Sequence, residues 1–260
     1  MKGILGAARS ARATLRDIRS VGVKMSDTIK RRARIPYPLG RVAFWGSVLV
    51  KKLSLLRGGW SQRAVEYPWV LRQLNAFVPK GARVLDVGCS ESVLSHELLA
   101  RGYEVWGIDI NDYPYKPAAM VFVKRDARDT GLPSNFFDAV VCVSTIEHIG
   151  LPVYGQEGVD LDGDIKAVRE FRRILKPGGY LILTTPFAGK EFRLVPGERE
   201  YDLQRLQLLM QGFEVVCENI FIPYKLGKRI KWIKIPVDIA RKISLEAPGL
   251  LCLVARKELK

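Results

Sequence analysis

The sequence predicts an α/β protein whose core is an open, mostly parallel sheet with helices on both faces. Three observations predict this fold. From Gly59 onward, apolar strand-like runs alternate with helical patterns, in the β-α-β-α order that builds parallel sheets. Turn residues, such as those at Pro79–Gly81 and Lys176–Gly179, separate the runs. The chain has 260 residues and is 48% apolar, which is enough for one such domain plus extra segments.

The elements follow one another in a regular order. The apolar run Arg83–Val87 is the first strand, preceded by a helix that ends before the turn at Pro79. Asp164 is a suitable N-cap for a later helix, which the Lys176–Gly179 turn stops. The predicted helices are Ala64–Val78, Glu91–Arg101, Asp164–Leu175 and Tyr201–Gln211, and the predicted strands are Arg83–Val87, Glu104–Ile110, Met120–Lys124, Asp138–Ser144, Tyr180–Thr185, Phe213–Phe221 and Leu250–Ala255.

The formal charge of +15 is concentrated at the two ends of the chain. Residues 1–60 hold 14 Lys and Arg against Asp17 and Asp27, and residues 224–260 hold 10 basic and 3 acidic side chains. The region between them is mildly acidic. We therefore divide the chain into a basic N-terminal extension (1–60), with amphipathic helices, and a single domain (61–260), with a basic insert at about 223–248 before the last strand. The extension would either dock on its own domain or lie on an anionic surface.

Composition also bears on the compartment and on metals. The four cysteines are scattered, with no C-x-x-C pair, and the chain has only two histidines. This pattern favours a reducing cytosol and argues against a zinc site. The acidic segment Asp160–Asp164 lacks the ligand spacing of a calcium loop, so helix entry is the favoured role. We predict no metal and no transmembrane segment, because the longest uncharged apolar run near the start, Val42–Val50, has only nine residues.

The first strand and its turn carry the predicted ligand site. In a doubly wound sheet, ligands bind beyond the carboxyl ends of the strands, which places residues 86–92 at the ligand. Gly88 allows a tight turn and close approach of the backbone. Asp109 follows 21 residues later at the end of the second strand, where a carboxylate can accept hydrogen bonds from two ribose hydroxyls. This spacing also suits a dinucleotide, but the loop has one glycine where the dinucleotide pattern has three.

At this point the sequence resembles a known family. Val84–Cys89 (VLDVGC) and Val105–Ile110 (VWGIDI) look like the first two motifs of the class I S-adenosylmethionine-dependent methyltransferases. Arg125–Ala127, Ser144–Ile149 and Ile174–Gly179 resemble the later blocks of its type-11-like subgroup. The resemblance spans about residues 64–221. It implies a Rossmann-like, doubly wound sheet of seven strands, mostly parallel with an antiparallel last strand, and S-adenosyl-L-methionine as cofactor.

The resemblance also implies roles for individual residues. The loop at Gly88, Cys89 and Ser90, which follows Asp86, would contact the methionine portion of the cofactor. Asp109 would hold the ribose. The remaining implied cofactor contacts are Ile110 against the adenine, Asp126 and Ala127 at its amino group and ring, and Ser144 along the fourth strand's end. Ser90 and Ser92 stand where the family usually has glycine, which leaves a non-catalytic relative that still binds the cofactor as an alternative.

Glu147 and His148, just beyond the fourth strand, are the predicted catalytic residues. Either could remove a proton from the acceptor or orient it. The structural alternative is that Glu147 pairs locally and His148 packs under the loop. The long connection that follows, around Tyr154–Gln156, could cover the acceptor as a lid.

The acceptor is predicted only by class. The fourth block lacks the Asn/Asp-Pro-Pro-aromatic sequence typical of enzymes that methylate planar nitrogens, and the resembled subgroup includes enzymes acting on sugars, quinones and lipids. We therefore predict an enzyme with a small-molecule, sugar or lipid-linked acceptor, cytoplasmic and peripheral at an anionic membrane through its basic ends. The alternatives are an RNA-directed methyltransferase that tracks phosphate with the same ends, and a binding module that uses no cofactor.

Overall fold

A computed structural model describes residues 62–226 and 229–259 of the chain. The predictions for the N-terminal extension fall on residues outside this range. The helices are α1 (Arg63–Phe77), α2 (Leu94–Ala100), α3 (Gly163–Ile174), α4 (Leu203–Leu209) and α5 (Val237–Ala240), with a 3-10 turn at Ile146–His148. The strands are β1 (Arg83–Val87), β2 (Glu104–Asp109), β3 (Val121–Lys124), β4 (Phe137–Val143), β5 (Leu175–Gly189), β6 (Arg193–Val195), β7 (Glu198–Asp202), β8 (Phe213–Leu226), β9 (Arg229–Ile235) and β10 (Ser244–Lys257).

The strands form one twisted sheet in the order β3-β2-β1-β4-β5-β10-β8-β9. The first five strands are parallel, as in the register Val84↔Val105 between β1 and β2 and Val84↔Ala139 between β1 and β4. β10 runs antiparallel to both of its neighbours, β5 and β8. The predicted doubly wound α/β fold and the antiparallel last strand are therefore confirmed.

The predicted number of seven strands is wrong, because ten strands within residues 62–226 and 229–259 join the sheet. The chain turns back after β8 into β9, which pairs with it along Ile220↔Ile235 to Leu226↔Arg229. A further hairpin, β6–β7, attaches through β7 to the end of β5. The predicted helix from Tyr201 begins later, at Leu203, because Tyr201 belongs to β7 and the Asp202 carboxylate caps α4 by accepting from the Arg205 amide.

Both faces of the sheet are covered by apolar side chains of the helices, as the alternation of elements predicts. On one face, α3 buries Val168, Phe171 and Ile174 at helical spacing, in one cluster with α4. On the other face, α1 and α2 bury Leu74 and Leu98 in a second cluster. None of the helices in residues 62–226 and 229–259 is long and apolar enough to cross a bilayer.

The strand order positions the ligand site. It reverses between β1 and β4, because the chain runs outward through β2 and β3 and then returns to pair β4 on the other side of β1. A crevice opens at such a switch point, beyond the carboxyl ends of the parallel strands. The predicted site residues after β1, β2 and β4 lie at this edge.

Candidate active site

A pocket occupies the crevice at the switch point. Its empty volume, counted with the space open to solvent, is about 910 Å³. The strand ends and the loops that follow them supply its walls. The lining residues are Arg63, Asp86, Val87, Gly88, Ser90, Glu91, Ser92, Ile108, Asp109, Ile110, Asn111, Arg125, Asp126, Ala127, Val143, Ser144, Thr145, His148, Ile149, Tyr154 and Gln156.

The turn after β1 depends on Gly88. Its φ of +74° lies in the left-handed region, and a Cβ at this position would lie 2.5 Å from the Thr145 side chain of the neighbouring loop. The two serines in the loop are accommodated. The Ser92 hydroxyl accepts from the Leu94 amide at 2.9 Å and so helps to start α2, while Ser90 uses its backbone amide towards Asp109.

Asp109 ends β2 with its carboxylate facing the pocket. One oxygen accepts from the Ser90 amide at 3.0 Å and the other from the Asn111 amide at 2.8 Å. These two bonds fix the carboxylate between the first and second turns. Since each carboxylate oxygen offers two lone pairs, each retains capacity for one further donor. The arrangement suits two adjacent hydroxyl groups.

Two predicted residues of this half of the site lie deeper than the sequence suggested. Cys89 is fully buried in the core cluster, where its thiol donates to the Ile108 carbonyl at 3.7 Å, so its side chain does not line the pocket. Asp86 is buried at the base of the pocket and accepts from the Ser95 hydroxyl at 2.6 Å. Desolvation by burial raises the pKa of Asp86 to about 7.

Asp126, after β3, is held by an arginine. Arg128 donates to both of its carboxylate oxygens, at 2.6 Å from Nη2 and at 2.8 Å from its backbone amide. Burial opposes ionisation of Asp126, but these hydrogen bonds outweigh it and lower the pKa of the carboxyl. Arg128 also donates to Asp160 at 3.0 Å. Ala127 and Ile110 add apolar side chains to the pocket lining beside Asp126.

Ser144 joins the pocket to α1 through a buried hydrogen-bond network. It adopts a φ of +41°, and its hydroxyl donates to Glu66 of α1, which also accepts from Thr184 at 2.7 Å. Glu66 is fully buried and pairs with Arg63 at 3.0 Å. Arg63 donates as well to the Val143 carbonyl at 3.1 Å, which places its guanidinium on the pocket wall.

His148 lines the pocket, whereas Glu147 lies behind it. Nδ1 of His148 is 2.7 Å from the Gly197 carbonyl oxygen, and a carbonyl can only accept, so Nδ1 carries the proton and Nε2 carries the lone pair. Burial lowers the pKa of His148, which favours this neutral form. Glu147 is buried, with one oxygen 3.9 Å from Nε2, and desolvation raises the pKa of its carboxyl to about 8.

The connection after the 3-10 turn, residues 150–162, folds over this end of the pocket. Gln156 donates to the His148 carbonyl at 2.8 Å and accepts from the Gly150 amide at 2.7 Å. Tyr154 stands edge-on to the His148 ring, with 5.1 Å between centroids. Asn111 donates to the Tyr154 carbonyl at 3.2 Å, which ties the loop to the end of β2.

A fully buried arginine on β7 holds both ends of this loop. The Arg199 guanidinium donates to the carbonyls of Glu147 and Ile149 at one end, at 3.2 and 2.8 Å, and to Asp160 and Leu161 at the other, at 2.9 and 3.3 Å. Its Nε lies 3.7 Å from the buried Asp164 carboxylate. The β6–β7 hairpin therefore fixes the post-β4 loop from below, while Gly197 fixes His148.

Nine of the eleven predicted site residues line this pocket, and the other two, Cys89 and Glu147, lie behind its wall. Sequence reasoning missed Arg63, Arg128 and Arg199. Arg128 stands two residues after Asp126, a local signal that was available in the sequence. Arg199 had no local signal, because its partners lie 35–52 residues away along the chain.

Comparisons with known proteins agree with the fold and the pocket described above. A family model described as "Methyltransferase domain" matches residues 85–183. The ubiquinone biosynthesis O-methyltransferase of Alkalilimnicola ehrlichii is 30% identical over 118 residues, which are 41% of this chain and 42% of that protein. The enzyme of the same name from Dechloromonas aromatica is 31% identical over 115 residues, covering 40% and 44%. The match therefore spans less than half the length of these curated relatives.

Solved structures match over a larger part of the chain. A 1,6-didemethyltoxoflavin-N1-methyltransferase from Burkholderia thailandensis has a TM-score of 0.54 at 18% identity, covering 86% of this chain and 92% of that one. An Archaeoglobus fulgidus SAM-dependent methyltransferase gives 0.55 at 18%, covering 76% and 95%. The [4+2]-cyclase SpnF gives 0.53 at 18%, covering 78% and 85%. These likenesses establish the fold, and with the family model they confirm the predicted resemblance.

Proposed function

We propose that this chain, whose residues 85–183 belong to the methyltransferase domain family, is an S-adenosylmethionine-dependent methyltransferase acting on a hydroxyl group of a small-molecule or lipid-linked acceptor. One observation carries the proposal. The same pocket has at one end the Asp109 carboxylate, which can accept further hydrogen bonds. At the other end it has the imidazole of His148, whose Nε2 carries a lone pair. A nucleoside cofactor and an acceptor that must lose a proton require these two features together.

The donor set of the pocket fits the cofactor. Asp109 would accept from both ribose hydroxyls with the lone pairs that Ser90 and Asn111 leave unused. Arg63 would pair with the carboxylate of the methionine portion beside the Gly88 turn. Ile110 and Ala127 would flank the adenine. Asp126, proposed to meet the adenine amino group, is oriented for that contact by Arg128.

The chemistry then requires alignment and removal of one proton. When bound, S-adenosylmethionine supplies a methyl group activated by its positively charged sulfur. His148 Nε2 would accept the proton that the acceptor hydroxyl loses as its oxygen takes up that methyl group. The pocket walls would contribute alignment, worth on the order of 7–11 kcal/mol. Afterwards His148, whose side chain is 20% exposed, releases the proton to water.

Glu147 would act through His148 and not on the acceptor. It is buried behind the histidine, with 3.9 Å between its Oε1 and Nε2. Its carboxyl, oriented by the Thr185 hydroxyl at 3.3 Å, would hold the imidazole in place from behind. We therefore assign Glu147 as a positioning residue, and His148 alone as the proposed base.

Two further features favour a hydroxyl on a ring or chain of modest size. The His148 and Tyr154 rings meet edge-on at the acceptor end, which gives a planar acceptor an aromatic wall. The curated relatives are named as O-methyltransferases of ubiquinone biosynthesis, at 30–31% identity over the matched region.

Calorimetric titration with S-adenosylmethionine tests the cofactor assignment. We expect saturable binding to the wild-type chain and none measurable for Asp109→Ala. Asp112→Ala is the matched control, since that carboxylate is 80% exposed, pairs with Lys124 and does not line the pocket. Equal binding by Asp109→Ala and the wild-type chain would show the assignment to be wrong.

Transfer of a labelled methyl group to fractionated cell extract tests the reaction. The expected product resists mild base hydrolysis, as an ether does, and is lost with His148→Gln while cofactor binding persists. A labelled product that forms equally well with His148→Gln contradicts the assignment of the base. No labelled product with any fraction, despite cofactor binding, favours the non-catalytic alternative.

A further inference from the structure

The outermost strand pair leaves the body of the sheet on the side of the pocket. β8 is parallel to β5, since both run antiparallel to β10, so its end points beyond the same carboxyl edge at which the pocket opens. Its pairing with β10 stops at Phe221. From Ile222 onward β8 pairs with β9 only, and we call residues 222–226 with 229–233 the hairpin extension.

One face of the hairpin extension is largely apolar without being buried, and Lys231 is the charged residue on it. Ile220 is buried in the core, and its cross-strand partner Ile235 packs against the core. The next pairs on that face are Ile222↔Ile233 and Tyr224↔Lys231. Tyr224 is 51% exposed and Ile233 is 43% exposed. A two-stranded ribbon is marginally stable in water and usually covers its apolar face.

The short helix α5, which packs on β8, adds another exposed apolar side chain. Ile239, on α5, is 49% exposed, while its neighbour Ala240 anchors α5 in the core cluster that also contains Ile220. The phosphate backbone of a nucleic acid offers no apolar groups that these aliphatic and aromatic side chains could contact. They can, however, enter the interfacial layer of a lipid bilayer.

The sequence of the hairpin extension and its turn is strongly basic. The stretch 224–234 contains five Lys and Arg and no acidic residue. Lys231 and Lys234, on the edge strand β9, are both exposed, and no carboxylate among the described residues pairs with either. Lys231 lies on the face of Tyr224 and Ile233, and Lys234 lies on the opposite face of the ribbon. Lysines on an edge strand also discourage edge-to-edge aggregation, which is the simpler explanation of their presence. That explanation does not account for the exposed isoleucines and tyrosine beside them.

We propose that the hairpin extension, with α5, docks the protein on an anionic lipid surface. Exposed apolar side chains interleaved with unpaired lysines are complementary to acyl chains beneath negatively charged headgroups. Docked in this way, the carboxyl edge of the sheet faces the bilayer, and the pocket opens toward the layer that would hold a lipid-linked acceptor. That the pocket then faces its acceptor rests on the proposed function, whereas the docking on the lipid surface does not.

Sedimentation with vesicles tests the proposal on the full chain. We expect binding to phosphatidylcholine vesicles that contain phosphatidylglycerol, weakened by salt, and no binding to phosphatidylcholine alone. Each basic residue near an anionic surface contributes about fivefold in affinity, so the Lys231→Gln/Lys234→Gln double variant is expected to bind on the order of 25-fold more weakly. Arg72→Gln/Lys80→Gln is the matched control, because both side chains are exposed and lie away from the pocket edge, and it should bind like the wild-type chain.

An apolar variant and two parallel measurements complete the test. Tyr224→Ser/Ile233→Ser keeps every charge and should also weaken vesicle binding, with circular dichroism and S-adenosylmethionine affinity unchanged. Vesicle binding unaltered by either double variant overturns the proposal, and added aggregation of the lysine variant would then identify edge protection as their role. Tight RNA binding without vesicle binding also overturns it. Cofactor calorimetry on the same samples shows separately whether the proposed function fails.

Discussion

Replacing Arg199 by methionine should destabilise the protein far more than the loss of any surface arginine. Methionine retains length and apolar contact but removes every donor of the guanidinium. The side chain is fully buried and donates to four carbonyls of the post-β4 loop, so its loss is expected to act on stability and on the loop that carries His148 together.

The magnitude follows from which partners are left without a donor. The Asp160 carbonyl keeps the Gly163 amide at 3.0 Å, and the Leu161 carbonyl keeps Arg205 at 2.6 Å. The carbonyls of Glu147 and Ile149 lose the donor that the structure gives them. Two buried acceptors left unsatisfied cost about 1–3 kcal/mol each.

The ion pair adds less than its burial suggests. Asp164 retains Arg205, with contacts at 2.5 and 3.0 Å, and the Tyr201 hydroxyl at 3.1 Å, so it is not stranded without a partner. The expected loss is therefore about 4 kcal/mol, in the range of about 3–5 kcal/mol seen when one member of a buried pair is removed. This is a large part of the roughly 5–15 kcal/mol by which a domain is stable.

Urea unfolding followed by tryptophan fluorescence and circular dichroism measures this free energy. Arg241→Met is the matched control, because its guanidinium is 37% exposed and pairs with Glu218 at the surface, where such pairs contribute about 0–1 kcal/mol. A loss below about 1 kcal/mol for Arg199→Met, equal to that of Arg241→Met, would refute the view that this arginine holds the loop.

Three further outcomes are expected. Gly88→Ala should lose on the order of 1–3 kcal/mol of stability, measured by urea unfolding, because its φ is +74° and the new Cβ would lie 2.5 Å from Thr145; a neutral effect would contradict the left-handed turn at this position. The kcat/KM of methyl transfer should rise with pH and level off below the ordinary histidine value near 6.5, because burial lowers the pKa of His148 and Nε2 must be unprotonated; a limb that rises only above pH 7 would exclude it as the base. Between about pH 4.5 and about pH 8 the folded Glu147 carboxyl, with its raised pKa of about 8, holds a proton that the unfolded chain has released, so the free energy of unfolding falls as the pH rises. Glu147→Gln should flatten this fall, as measured by urea unfolding across the pH range. A pH profile unchanged by the substitution would show that Glu147 is ionised when folded.

The half of the pocket that we propose for the cofactor could be located from the sequence because its determinants are local. Gly88 and Asp109 each end a strand whose apolar pattern is clear, and parallel neighbours necessarily end at the same edge. Cys89 shows the limit of this reasoning. It is adjacent to the glycine in sequence, but the left-handed turn at Gly88 directs its side chain into the core against Ile108.

The additional strands could not be predicted from the same pattern. β9 is rich in lysine, and its short apolar alternation, Ile230, Trp232 and then Ile233, follows neither a helical nor a strand period over its full length. The β6–β7 hairpin has only three paired positions, and its apolar side chains are few. Its place in the fold is set by pairing with the end of β5 and by the burial of Arg199, both of which are long-range contacts.

This difference explains why the sequence identifies the cofactor more readily than the acceptor. The proposed cofactor contacts are strand-end residues, and the backbone geometry of the sheet fixes their positions whatever the rest of the chain does. The proposed acceptor wall is built from α1 and the post-β4 loop, which the β6–β7 hairpin supports through Arg199 and through the His148 bond to Gly197. Because those contacts can be exchanged without disturbing the strand ends, the same sheet can serve different acceptors, and solved proteins of this fold include both methyltransferases and a cyclase. The identity of the acceptor must therefore come from the geometry around His148 and from the surface beside it.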